Sequence, residues 1–351
     1  MDWTRSLGID WRYSLVDPET WSDTEEIASV RSCSLSWDAE SELLVSGSIE
    51  VDEAFRDEAY VRVWCDARQG DLAERHAVAT LLCQTSKDGT EGTVLTVSAD
   101  AYSPLIELRD DKPPIGWSVS GSADDAIALI CSHMRAPFVP YESGVELAAD
   151  VVAADDESWL DMLWAVCDEA GLEFWLDGMG RLVMGLKPEP WALQPIQSIS
   201  DTDERGILYA DRERETDLFE IPNHFEAVRS DPGSWVKGEA WNRDPASRTS
   251  TVRRGRPITS REMNPDGLPS GSSQEVADEY ARKRLREESV ITRTYSIGIG
   301  YIPLRLGDAI RFSDSKLGAE ENVMVIGMEL NCDVEARLDL TATSTEELWS
   351  A

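Results

Sequence analysis

Ser158-Trp159-Leu160-Asp161-Met162-Leu163 opens, and Gly171-Leu172-Glu173-Phe174 followed by Asp177-Gly178-Met179-Gly180-Arg181-Leu182 closes, a stretch whose hydrophobic period changes twice. Trp159, Leu160, Leu163, Val166, Cys167 and Ala170 recur at helical spacing and line one face of a helix that starts after Asp155-Asp156. Gly171 stands where a C-terminal cap is expected, with Leu172 just beyond it. The pattern then alternates as a hairpin, Glu173–Leu176 and Arg181–Met184, around the turn Asp177–Gly180. Helix, glycine and hairpin make a small α+β element.

Upstream, Ser122-x-x-Asp125 is a capping-box pattern. It predicts a first helix with an apolar stripe of Ala126, Ile127, Ile130, Cys131 and Met134, ended by Pro137. Asp110-Asp111-Lys112-Pro113-Pro114 and Lys187-Pro188-Glu189-Pro190 bracket both helices and the hairpin as breakers. Outside the brackets the period is two. Val30–Trp37, Leu43–Val51, Tyr60–Cys65, Ala77–Gln84 and Thr93–Ala99 read as strands before them. Asn223–Arg229, Trp235–Trp241, Val290–Ile299, Asp308–Ser313, Val323–Asn331 and Glu335–Thr341 read as strands after them. One late helix over 273–289 is expected, capped by Ser272-x-x-Glu275, with Val276, Tyr280 and Leu285 on its apolar side and Ala281 as a further candidate. Residues 241–272 read as a long polar loop, mobile or ordered by a partner. The fold class is therefore mainly β with an α+β insert. Two β-barrel-like domains, 1–112 and 192–351, flank a helix–helix–hairpin domain at 113–191.

A length of 351 residues suits two or three domains and is enough to bury a core without disulfides or metal. Sixty-seven acids against 33 bases leave a net charge of −34, which argues against a nucleic-acid binder and against docking on anionic lipid. The longest apolar run is Ala126–Cys131, so no membrane span is expected. The N-terminus has no charged-then-apolar leader pattern, and a reducing compartment is expected. Cys33, Cys65, Cys83, Cys131, Cys167 and Cys332 form no CxxC pair and are expected to be reduced.

Catalytic signatures are missing. His76, His133 and His224 are expected in a strand, a helix and a strand, with no HExxH, and no bound metal is expected. There is no G-x-S-x-G elbow and no phosphate-cradling P-loop; Gly178-Met179-Gly180 and Gly298-Ile299-Gly300 are only fragments of a dinucleotide motif. Asp201-Thr202-Asp203-Glu204-Arg205-Gly206 starts like a calcium loop but has arginine at its fifth position and Arg212 at its twelfth, so it reads as an acidic turn. Adjacent carboxylates such as Asp124-Asp125 and Asp155-Asp156 fall at helix starts, where they complement the dipole. Neither an enzyme nor a cofactor is indicated.

One local anomaly stands out. Arg243, Arg248, Arg253, Arg254, Arg256 and Arg261 fall in 19 residues whose only acid is Asp244. A basic segment on an acidic chain suits docking on an acidic face, and Arg248, Arg253, Arg254 and Arg256 are the candidate partner-binding residues; the plain alternative is a solvated connector.

The order of elements resembles the tail-tip or baseplate hub proteins of tailed phages, and through them the hubs of contractile phages and type VI secretion spikes. The likeness is carried by Ser34-Leu35-Ser36-Trp37-Asp38 through Gly47-Ser48-Ile49, by the helix–hairpin above and by Asn223-His224-Phe225. It is carried also by the helix Ala277–Glu288, the strand Thr292–Ile299 and Leu304-Arg305-Leu306-Gly307-Asp308. It spans about residues 30–345. The resemblance implies a homotrimeric, non-enzymatic virion structural protein, assembled in the host cytoplasm. Its ring would continue the tail tube and let DNA pass during ejection. Implied partners are a distal tail or tail-tube protein, a tape-measure protein and separate fibre or spike proteins. An acidic lumen would repel the DNA. The chain ends at Ala351, soon after its last strand, so no fused lysin or receptor-binding domain is expected. Two other readings stay open. One is a carbohydrate- or receptor-binding tail module, for which 13 tryptophans would suit sugar stacking. The other is a tail-associated peptidoglycan or glycan hydrolase, which needs a carboxylate pair that the sequence does not single out.

Overall fold

The computed structural model describes all residues except 53–54, 56, 92–93, 188–193, 205, 266 and 348–351. The chain forms two compact units, Met1–Arg212 with Ser296–Ala342, and Glu213–Tyr295 with Thr343–Ala351. The ranges 1–112 and 113–191 lie together in the first unit, while 192–351 is divided between the two. The junction expected at 191/192 lies outside the described residues.

The first unit is built on a large, mainly antiparallel sheet. Asp23–Glu26, Gly8–Val16, Ala59–Gln69, Leu72–Glu91, Val94–Tyr102, Val45–Val51, Val30–Asp38 and Ala319–Asn331 are neighbours in that order. Ala309–Asp314 pairs with Ala319–Asn331 and, in parallel, with Gln197–Ser200. The unit's parts of Arg337–Glu347, Val290–Gly300 and Leu208–Thr216 continue the sheet. Alternation drives the burial: Val61, Val63, Cys65 and Ala67 along one strand are all buried. The expected barrel is not what forms. Among the described residues the strand order is an open path. Its edge, Asp23-Thr24-Glu25-Glu26, is short, exposed and acidic, and a bulge at Leu15/Val16 disturbs its pairing; these devices protect an edge that has no further strand to pair with. The strand Gly8–Val16 is also absent from the sequence reading, which starts its strands at Val30.

The helical part follows the sequence closely. After the short helix α1 (Ile106–Asp110), α2 (Ala123–Cys131) begins at Ser122, whose hydroxyl accepts from the Asp125 amide. Ala126, Ile127, Ile130, Cys131 and Met134 are all buried. The helix stops before His133, which lies in the turn beyond it and stacks on Trp159. Helix α3 (Trp159–Ala170) starts with a reciprocal capping box between Ser158 and Asp161 and ends at Gly171 with φ 65°. Leu172–Leu176 and Leu182–Leu186 form the hairpin, and Phe138–Val139 adds a parallel third strand.

The hairpin turn is fastened to the large sheet by a buried arginine. Arg62 is 1% exposed. Its guanidinium donates to Thr80 Oγ1 at 2.9 Å, to the Trp21 and Met179 carbonyls at 3.3 and 3.2 Å, and to the Asp23 carboxylate. Thr80 Oγ1 and the Trp21 indole N–H donate in turn to the Gly178 and Met179 carbonyls. The turn lies so close that a Cβ at Gly178 would sit 1.9 Å from the Ala77 carbonyl oxygen. A buried arginine is tolerable only when its donors are met, as these are.

The second unit is smaller. His224–Asp231 pairs antiparallel with Ser234–Trp241 and parallel with Thr259–Met263. Between them, α4 (Thr251–Arg254) forms one short turn. Helix α5 (Gln274–Glu288) covers one face through Ala277, Ala281 and Leu285, which pack with Phe225, Ala227, Ala240 and Leu268. The cap is Ser273, not Ser272, whose hydroxyl instead donates to the Pro269 carbonyl. Val276 is about half exposed and is not part of the apolar side, because the buried stripe runs at four-residue spacing from Ala277. The other sheet face carries His224, Glu226, Glu239, Lys237, Arg261, Trp235 and Met263 by strand alternation. All six cysteines are buried and unpaired. No helix among the described residues is long and apolar enough to cross a membrane.

Candidate functional site

The arginine-rich segment is held by its own chain, which corrects the expectation of a mobile or partner-ordered loop over 241–272. Asn223, fully buried, donates from Nδ2 to the Thr249 and Arg256 carbonyls at 2.9 and 3.1 Å. Its Oδ1 accepts from the Ile258 amide at 2.8 Å. Asn242, also fully buried, donates to Ser247 Oγ at 2.9 Å, and Ser250 caps α4 by accepting from the Arg253 amide at 3.3 Å. These short polar side chains replace the missing ladder hydrogen bonds and keep an irregular backbone satisfied. Composition alone suggests mobility; Asn223 and Asn242 lie 38 and 19 residues before Arg261, the segment's last arginine, and give no local signal.

The frame sorts the arginines. Arg254 turns inward and donates to the Ile221 carbonyl at 2.7 Å and to the Leu218 carbonyl. Burial, together with neighbouring Arg256, holds its pKa below the ordinary value. Arg261 pairs with Glu226 at 2.5 Å, and Arg243 lies over the Trp241 ring, 5.2 Å from its centroid. Arg248, Arg253 and Arg256 are exposed and make no ion pair among the described residues. Val252, 61% exposed, is next to Arg253 on α4. Of the four arginines expected to bind a partner, three face solvent and one is part of the frame.

Other chemistry is sparse. Asp201 accepts from the Ser315 amide and hydroxyl at 3.1 and 2.5 Å, so it staples a turn. In the first unit a cleft of about 270 Å³ is lined by Trp37, Trp175, Asp177, Arg305 and Asp308. The Arg305 guanidinium lies 4.2 Å from the Trp175 ring centroid and covers the face a sugar would need. Trp159 is buried, and the Trp64 indole N–H donates to Asp23 at 2.8 Å. Among the described residues one group of His, Asp, Glu or Cys ligands is close enough to hold a metal: His224, Glu226 and Glu239.

No family model matches the chain, and no curated protein matches it. Solved structures do. The tail protein from Neisseria meningitidis MC58 matches with a TM-score of 0.62 at 15% identity, covering 95% of this chain and 96% of that one. The 43 kDa tail protein of prophage MuSo2 from Shewanella oneidensis matches with a TM-score of 0.61 at 12% identity, covering 95% and 98%. A chain of the Francisella PdpA–VgrG complex matches with a TM-score of 0.58 at 8% identity, covering 98% of this chain and 58% of that one. Over nearly its whole length, this chain has the fold of these phage tail proteins, shared with a chain of the PdpA–VgrG complex.

Proposed function

We propose that the protein is a structural component of a phage tail, placed at the tail tip or baseplate as a hub. The observation that supports this most is the match to two tail proteins over nearly the whole of both chains. In this reading three copies form a ring that continues the tail tube and binds a distal tail or tail-tube protein, a tape-measure protein and separate fibre or spike proteins. The protein is a virion component without catalytic activity of its own. Charge supports passage of DNA: three chains of −34 carry −102, and carboxylates on a channel wall repel a polyanion within a Debye length of ~8 Å.

Arg248, Arg253 and Arg256 are the proposed contact with an acidic neighbour, because they are the free guanidinia on a fixed frame. A fork of two N–H donors fixes register as well as attraction on a carboxylate. Native mass spectrometry and negative-stain imaging of the purified protein test the ring; a monomer at high concentration that never joins a trimer with tail partners refutes it. Replacing Arg248, Arg253 and Arg256 together with Ser should weaken assembly at low salt and leave the subunit folded. Normal assembly of that variant at both low and high salt would make the arginines a solvated surface.

A further inference from the structure

The face of the second unit's sheet opposite α5 gathers His224, Glu226 and Glu239, although they are spread over two strands. His224 and Glu226 alternate onto one side of their strand, and Glu239 is the direct register partner of Glu226. The ligand atoms of all three lie within 4.8 Å of one another.

The imidazole is the informative group. His224 is 5% exposed, and its Nε2 has no hydrogen-bond partner. A buried orphan nitrogen is costly and calls for an explanation. That nitrogen faces the Glu226 carboxylate, 3.9 Å from Oε1. The other ring nitrogen, Nδ1, is 2.9 Å from Thr259 Oγ1; with Nδ1–H donating there, the Nε2 lone pair points into the carboxylates. Such an outer hydrogen bond is what orients metal-binding imidazoles. The ring is also clamped against Trp241, with centroids 3.6 Å apart. Burial holds the imidazole's pKa below its ordinary value.

A cation already lies between the two carboxylates. Lys237 Nζ is 2.5 Å from Glu226 Oε1 and 2.5 Å from Glu239 Oε1. Arg261 takes the other oxygen, Glu226 Oε2, from the outside. The lysine side chain is 29% exposed, so its ammonium has a route to solvent.

We propose that His224 Nε2, Glu226 Oε1 and Glu239 form a site for one first-row divalent metal of the zinc type, with the Lys237 ammonium holding the position when the metal is absent. Zinc accepts imidazole nitrogen and carboxylate oxygen, and three protein ligands with an open fourth position is an arrangement it adopts. Two carboxylates balance the metal's charge once the lysine has left, and Arg261 remains on Glu226 as an outer contact. Ligand atoms around a tetrahedral zinc are about 3.4 Å apart, which follows from bond lengths of about 2.1 Å. The group must therefore draw in by about 1.4 Å from its 4.8 Å span, a change the exposed Glu239 side chain can supply. The metal would bolt together the two strands of the hairpin and add stability to the second unit without a role in catalysis.

The test titrates Co²⁺ into the full chain after removal of divalent ions by a chelator and reads visible absorption. Oxygen-only binding to scattered surface acids gives a pale six-coordinate spectrum; the proposed site gives the intense bands of four-coordinate cobalt, saturating at one equivalent. Lys237→Met should bind at least tenfold more tightly, and Glu239→Gln and His224→Gln should each weaken binding tenfold or more. Glu239 is exposed, so its variant folds whatever becomes of the buried histidine change. The proposal fails if the native chain shows only the pale spectrum, even when Lys237→Met shows the intense one. It fails equally if Glu239→Gln develops the intense bands at the same Co²⁺ concentration as the native chain.

Discussion

Helices α3 and α5 do the same job by opposite means. Helix α3 packs with Trp159, Leu160, Met162, Leu163 and Val166, large side chains that fill the space against α2 and the hairpin. Helix α5 buries only Ala277, Ala281 and Leu285, with Tyr280 partly buried beside them, and is mostly charged elsewhere. It compensates by proximity: a Cβ at Gly238 on the strand beneath would sit 1.9 Å from the Ala277 carbonyl oxygen. One helix is held by bulk and the other by closeness, so the first should be sensitive to deletion of atoms and the second to their addition.

The largest expected effect tests the second half of that contrast. Gly238→Val pushes α5 off its sheet, because backbone atoms cannot yield as a flexible side chain would, and should cost about 3 kcal/mol or more. Chemical denaturation should show the loss; a change under 1 kcal/mol would mean that α5 can slide. Next comes Leu163→Ala in α3, at about 2–5 kcal/mol from lost transfer energy plus the cavity. Its counterpart Ala281→Gly in α5 should cost only about 1 kcal/mol, mostly helix propensity; equal losses at the two sites would erase the distinction. The caps give a smaller contrast. Ser158→Ala breaks a reciprocal box and Ser273→Ala a single hydrogen bond, so costs of about 1–2 and about 0.5–1 kcal/mol are expected by thermal melting. Smallest is Val276→Lys, on the exposed flank of α5, which should leave stability within about 0.5 kcal/mol.

The same contrast explains what could be read in advance. Helix α3, its glycine stop and the Asp177–Gly180 turn are local signals, each complete within four or five residues, and the structure has them where the sequence puts them. Helix α5 is also visible by period, but its cap is displaced by one residue and its buried stripe is Ala277–Ala281–Leu285 rather than one beginning at Val276. Alanines say little about which side is buried when the partner is a glycine on another strand. The strand Thr259–Met263 is hidden in a polar segment because its pairing with His224–Asp231 is parallel and non-local. The arginine cluster is plain in the composition, yet the inward turn of Arg254 depends on the Leu218 and Ile221 carbonyls, more than 30 residues upstream. The grouping of His224 with Glu226 is visible by alternation once the strand is known, and Glu239 joins them only through the hairpin register.

Arg62 has a consequence for the order in which the molecule can be made. Its donors are met partly by Met179, 117 residues further along, and Thr80 donates to Gly178, 98 residues on. At synthesis rates of about 5–20 residues per second, the ribosome delivers that turn roughly 6–23 s after Arg62 itself. During this interval the strands around Arg62 can pair, but the guanidinium lacks the carbonyl that completes its shell and must stay hydrated. The closing of this part of the sheet over dry ground therefore waits for the Asp177–Gly180 turn, and the hairpin acts as the late latch of the first unit.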